Sequence, residues 1–412
     1  MKLAHHRLPI INALIGAVIM LPFGILTGSA ISITAWMAGG FLIGALLGFV
    51  ADRFFNTLIK NERLRARRLL ILVSLEALLI IYLIIPGYGA YQVVHPLRLP
   101  AEASPSDVGV AYENITLMTT DGVELAGWYV PSQNKAAVIA VHTLQGNRAN
   151  TLYHLQALAN HGYGVLAFDL RGHGESSDER FAAGWNSDQD VLAALAFLKA
   201  QEEIDPERIG ALGLSVGANV IIYTGADHDD IKALWADGTG AGRLEDLLGP
   251  LPPEFRPLWF MSAVYWMYDR MLEVLSGVRA RPPIKEEVRR IAPRPIQFVS
   301  AGQGWEQFQA RKYQANAGEG ALLWELPQDT HVGGITAHPE EYIQRLNAFF
   351  RRNAACQLRA VPHRNRLRPA SLSIYLYDHN PTLLRTHSRR PARKSASSYG
   401  IIRTFPPLIS FS

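Results

Sequence analysis

Six consecutive apolar residues, Ala136–Val141, stand between the polar stretches 131–135 and 142–150. A strand of that kind has no wet face, so both of its sides must be covered by other parts of the chain. Val165–Asp169, Ile209–Leu214, Ala233–Ala236 and Ile296–Ser300 are similar short runs. Between and after them the apolar spacing changes to that of helices, near Thr151–Asn160, over Asp188–Ala200 and over Val216–Tyr223. Such alternation predicts a mostly parallel sheet with helices on both faces. An antiparallel hairpin, Tyr112–Thr119 and Val123–Val130 around a Thr-Asp-Gly turn, leads in, and a strand at Ala321–Leu326 and a helix at Pro339–Phe350 close the pattern.

The 412 residues are 49% hydrophobic and 18% charged, which excludes a disordered or fibrous chain. A single cysteine, Cys356, excludes a disulfide scaffold and a Cys-based zinc site. The net charge of +4 divides unevenly: residues 1–100 carry +6, residues 101–350 carry −13 and residues 351–412 carry +11. The acidic middle argues against a nucleic-acid partner.

No Asp, Glu, Lys or Arg occurs in the 44 residues from Leu8 to Ala51. A helix needs ~20 apolar residues to cross the hydrocarbon core, so this stretch has room for two spans, 9–27 and 32–51. A third, 69–90, is broken only by Glu76. The loop between them holds Arg53, Lys60, Arg63, Arg65, Arg67 and Arg68, and basic short loops stay in the cytoplasm. The expectation is a multi-pass membrane region over 1–100, with the remainder extracytoplasmic and the bilayer itself as a partner.

Gly213-Leu214-Ser215-Val216-Gly217 joins an apolar strand to a helix. In that setting the serine occupies a tight, strained turn, so the residues two before and two after it must be small, and the helix N-terminus behind it favours developing negative charge. Ser215 is therefore a candidate nucleophile.

Over about residues 110–352 the chain resembles the α/β-hydrolase family. The segment Ala137–Asn147 is similar to the loop after that fold's third strand, and Phe168–Ser176 to the turn after its fourth. The serine turn follows at the expected distance, and Pro327-Gln328-Asp329-Thr330-His331 resembles the loop that carries the family's histidine. The resemblance implies an α/β fold, a catalytic base at His331, and an oxyanion hole from the backbone N–H groups of Val216 and Leu144. Thr143 stands where the family usually has glycine. The family's acid usually follows the seventh strand; the first carboxylate there is Glu306, and Asp237 after strand six is the alternative. No metal or organic cofactor is implied.

An insertion at about 240–290, with the aromatic-rich stretch Leu258–Leu275, is expected to cap the domain and line an apolar acyl pocket or rest on the bilayer. Residues 353–412 read as a basic, disordered tail. The reading is a membrane-anchored serine hydrolase that cleaves carboxylic esters of a small or lipid-like acyl substrate. A peptidase of the same fold and a non-catalytic membrane receptor or scaffold are its rivals.

Overall fold

The structure is a computed structural model and describes residues 77–353 apart from 178, 248–260 and 303, with short pieces at 10, 12–14, 16–17, 38–50, 53 and 74–75. Most of the first expected span, part of the second, nearly all of the basic loop, Glu76, part of the cap and the tail beyond 353 lie outside the described residues.

Eight strands form one mixed sheet in the order β1-β2-β4-β3-β5-β6-β7-β8: β1 (Glu113–Met118), β2 (Glu124–Val130), β3 (Ala137–Val141), β4 (Gly164–Phe168), β5 (Ile209–Leu214), β6 (Leu234–Asp237), β7 (Ile296–Ala301) and β8 (Ala321–Leu326). The hairpin partners β1 and β2 are antiparallel, as are β2 and β4, and every later pairing is parallel. Every residue of β3 to β7 is buried, whereas the outer strands β1 and β8 keep exposed positions. That is the outcome the unbroken apolar runs dictate.

Pleating splits each central strand between two apolar layers. Ile139 and Val141 of β3 face one layer, Val138 and Ala140 the other. The first layer is covered by α3 (Asp188–Lys199) and α4 (Val216–Asp227). The second is covered by α2 (Leu152–Ala159) and by α7 (Pro339–Asn353), whose Tyr342, Leu346, Phe349 and Phe350 are buried there.

Among the described residues one helix is long and apolar enough to cross a membrane: α1, Ala77–Val94, with a mean hydropathy of 1.8. Ala38–Val50 is an apolar helix but shorter. Three spans were expected; among the described residues one helix has that length. Pro86 has no N–H to give to the turn before it, and the ladder ahead of it widens to a π-turn over Ile80–Ile84, closed by Ile85 N–H to Ile80 O. The helix also runs past the expected end at residue 90. Its last turns belong to the first apolar layer, with Ala90, Val93 and Val94 buried. It packs along α5 (Met261–Ser276), the described core of the expected cap.

The chain goes from β3 to β4 on one side and then to β5 on the other, so the sheet order reverses at β3. The crevice beyond the carboxyl ends of β3 and β5 is where such sheets bind ligands.

Candidate active site

Ser215 lies in that crevice, directly after β5. Its backbone is left-handed, with φ 54° and ψ −116°, a strained state for a non-glycine residue. A Cβ on Gly213 would stand 2.3 Å from the Gly217 carbonyl oxygen, and one on Gly217 would stand 2.4 Å from that of Val141. Both glycines are thus required by close backbone approach. Ser215 N–H donates to Asp237 O at 2.8 Å, which ties the turn to the end of β6.

The tertiary fold brings His331 to this serine from 116 residues away, with Nε2 2.9 Å from Ser215 Oγ. The other ring nitrogen, Nδ1, is 2.8 Å from Glu306 Oε2. In the neutral ring, Nδ1–H donates to the carboxylate, which leaves Nε2 to accept the serine proton. Glu306 sits in the first turn of α6 (Gly304–Ala317), is 1% exposed, and accepts a second hydrogen bond from Ala301 N–H at 2.8 Å. Both carboxylate oxygens are engaged, so its orientation is fixed. Gly302, with φ 81°, makes the turn between β7 and α6; a Cβ there would meet Asp329 O at 2.8 Å.

Asp237, the alternative acid, closes β6 and is fully buried. Its Oδ2 accepts from Tyr342 Oη at 2.6 Å, and Tyr342 in turn accepts from Trp235 Nε1 at 2.9 Å. Burial pushes the Asp237 carboxyl up to about 7, and the nearby Glu306 charge pushes the same way. His331 Nδ1–H donates to Glu306, while Asp237 is held by Tyr342 of α7.

Val216, the first residue of α4, has no intrahelical acceptor for its N–H. Leu144 lines the same cavity as Ser215 and Val216, which puts both expected oxyanion-hole residues at one site. Thr143 fits in place of glycine because the left-handed position of this loop falls on Gln145, with φ 55°. His142 holds the loop. Its Nε2 accepts from Leu170 N–H at 2.9 Å, so the ring proton is on Nδ1 and is donated to Thr143 O at 2.7 Å. Burial keeps this ring neutral by pulling its pKa down to about 4.

Sequence reasoning missed Gly238 and Tyr342. At Gly238, φ 68°, a Cβ would stand 2.6 Å from His331 Cε1, so only glycine leaves room for the imidazole. A glycine after a strand gives no local sign of a ring that arrives from residue 331. Tyr342 reads in the sequence as one more apolar position of the last helix.

The model of the alpha/beta hydrolase family matches residues 138–386, more than half of the chain. The chain belongs to this family. An uncharacterized protein of Mycobacterium tuberculosis is 35% identical over 122 residues, covering 29% of this chain and 43% of that one. The uncharacterized protein YfhR of Escherichia coli is 30% identical over 137 residues, covering 31% and 48%. The chain thus spans less than half the length of these curated relatives. Among solved structures, the Pyrococcus furiosus esterase Pf2001 shares the hydrolase fold, with a TM-score of 0.51 at 23% identity over 63% of this chain and 100% of that one.

Proposed function

We propose that this α/β-hydrolase is a serine hydrolase that cleaves carboxylic esters through an acyl-enzyme on Ser215. The observation that carries the reading is the chain of contacts Ser215–His331–Glu306, at 2.9 Å and 2.8 Å. A serine hydroxyl is a weak nucleophile until a base takes its proton during attack. His331 Nε2 takes that proton, and Glu306 holds the imidazole in the right tautomer and offsets the charge it gains. The alkoxide oxygen that develops on the substrate carbonyl is received by the Val216 and Leu144 N–H groups, each worth about 2.7–4 kcal/mol by deletion in comparable sites. His331 then returns the proton to the leaving alcohol. Water, deprotonated by the same histidine, adds to the acyl carbonyl; the bond to Ser215 Oγ breaks, the proton passes from His331 to that oxygen, and the carboxylic acid leaves.

We further propose that the domain is anchored by its N-terminal region and faces away from the cytoplasm. The support is the apolar helix α1 and the positive loop before it. The large apolar side chains Leu75, Leu78, Ile81 and Leu83 are all more than one-third exposed, which suits contact with lipid.

Labelling with a fluorophosphonate probe, then turnover of an ester and an aminoacyl-amide panel, tests the activity. The expected result is labelling of the wild type, none of Ser215→Ala, and turnover of esters. Preference for amides would assign a peptidase. A folded wild type that is not labelled would leave a non-catalytic scaffold.

A further inference from the structure

The helix proposed as the anchor is also part of the cavity above the nucleophile. That cavity measures about 90 Å³. Ser215, Val216 and Leu144 line it from the sheet side, Tyr265, Tyr268 and Leu272 from α5, and Val93 from the last turn of α1. Gly89, one turn earlier in α1, lies beside the Tyr268 ring, which a Cβ there would meet at 3.5 Å, an ordinary van der Waals contact. The helix is not loosely tethered at this end. Phe181 N–H donates to Val94 O at 3.2 Å, and Arg98 reaches Ser176 O at 2.5 Å. Asn147 Nδ2 donates to Leu99 O at 3.0 Å, from the loop that also carries Leu144. These bonds fix Val93 relative to Ser215 and to the expected oxyanion hole.

We propose that α1 supplies a wall of the acyl-binding pocket, and that Val93 with Leu272 restricts the substrate to esters of short, apolar carboxylic acids. This rests on the serine-hydrolase reading above. The physical basis is the size and chemistry of the space. It is small beside the ~300–1,000 Å³ of sites that engulf drug-sized ligands. Its α1 and α5 walls present Val93, Leu272 and two tyrosine rings, which welcome methylenes, beside one carboxylate of α5, Asp269. In an apolar pocket each methylene that fits or clashes changes kcat/KM by about 10- to 200-fold, so a wall side chain sets chain length.

The test measures kcat/KM of the full-length protein on nitrophenyl esters from acetyl to decanoyl, for the wild type, Val93→Ala, Val93→Met and Leu272→Val. Thermal melting and fluorophosphonate labelling of each variant verify the fold and the nucleophile. The expected wild-type profile falls beyond short acyl chains. Val93→Ala and Leu272→Val raise the octanoyl-to-acetyl ratio, by about tenfold for the former, and Val93→Met lowers the butyryl-to-acetyl ratio. An unchanged profile in the folded, labelled variants overturns the proposal, as does an equal loss on every ester, which would mark Val93 as packing only. A wild type that is labelled but turns over long-chain esters best also overturns it. Absence of both labelling and turnover in the wild type overturns the hydrolase reading itself, a result distinct from a failed shift in profile.

Discussion

Tyr342 donates its phenol hydrogen to Asp237 over 2.6 Å, 105 residues along the chain and beneath the Ser215–His331 pair. Both groups are fully buried, and Trp235 Nε1 donates to the same phenol oxygen. A carboxylate at the end of β6 is thus engaged by the last helix, and the imidazole is oriented by Glu306 in the first turn of α6, which follows β7.

Glu306→Gln is therefore expected to lower kcat by about 10³–10⁴-fold, since an amide can hold the imidazole in the wrong tautomer. Asp237→Asn is expected to change kcat by less than about tenfold. Steady-state kinetics on folded variants check this. A larger loss for Asp237→Asn would move the acid to β6.

The same burial makes Asp237 a source of pH-dependent stability. Its carboxyl titrates at about 7 in the folded protein and at about 4 in an unfolded chain. Between those values the folded state holds a proton that the unfolded state has released. Stability from this group therefore falls as pH rises from about 4 to about 7, and is level above that. Asp237→Asn removes the dependence. Measured melting temperatures should favour the variant more at pH 8 than at pH 5, and a difference independent of pH would refute the assignment.

Gly238→Ala places a methyl 2.6 Å from His331 Cε1 at a left-handed backbone position. The expected cost is about 1–2 kcal/mol of stability from the backbone. Displacement of the imidazole adds a loss of about 100-fold in kcat. Chemical denaturation and kinetics separate the two effects. Retained kcat would show that the ring has room to move.

The topology follows from charge. A reporter active only outside the cytoplasm should work when fused after Pro105 and fail when fused near Asn61, because the proposed topology keeps the basic stretch between Arg53 and Arg68 inside. The opposite pattern would reverse the orientation proposed for the domain.

The parallel centre of the sheet was legible in the sequence, because uninterrupted apolar strands such as Ala136–Val141 exclude a wet face. The serine turn was legible in part: Gly213 answers a steric demand made by Gly217 four residues on, whereas Gly217 is required by the Val141 carbonyl of β3, which only the tertiary fold brings there. Contacts across long separations were decided by the tertiary structure. The choice of Glu306 over Asp237 at His331 depends on where the loops after β6, β7 and β8 converge, and neither carboxylate carries a local mark of that. Gly238 is needed for a ring 93 positions later in the chain. The helix α1 runs on to Val94 for the same reason. Hydropathy describes how apolar a helix is, but not whether lipid or protein covers each turn. Only packing against α5 and within the first apolar layer buries Ala90, Val93 and Val94 in the hydrolase domain.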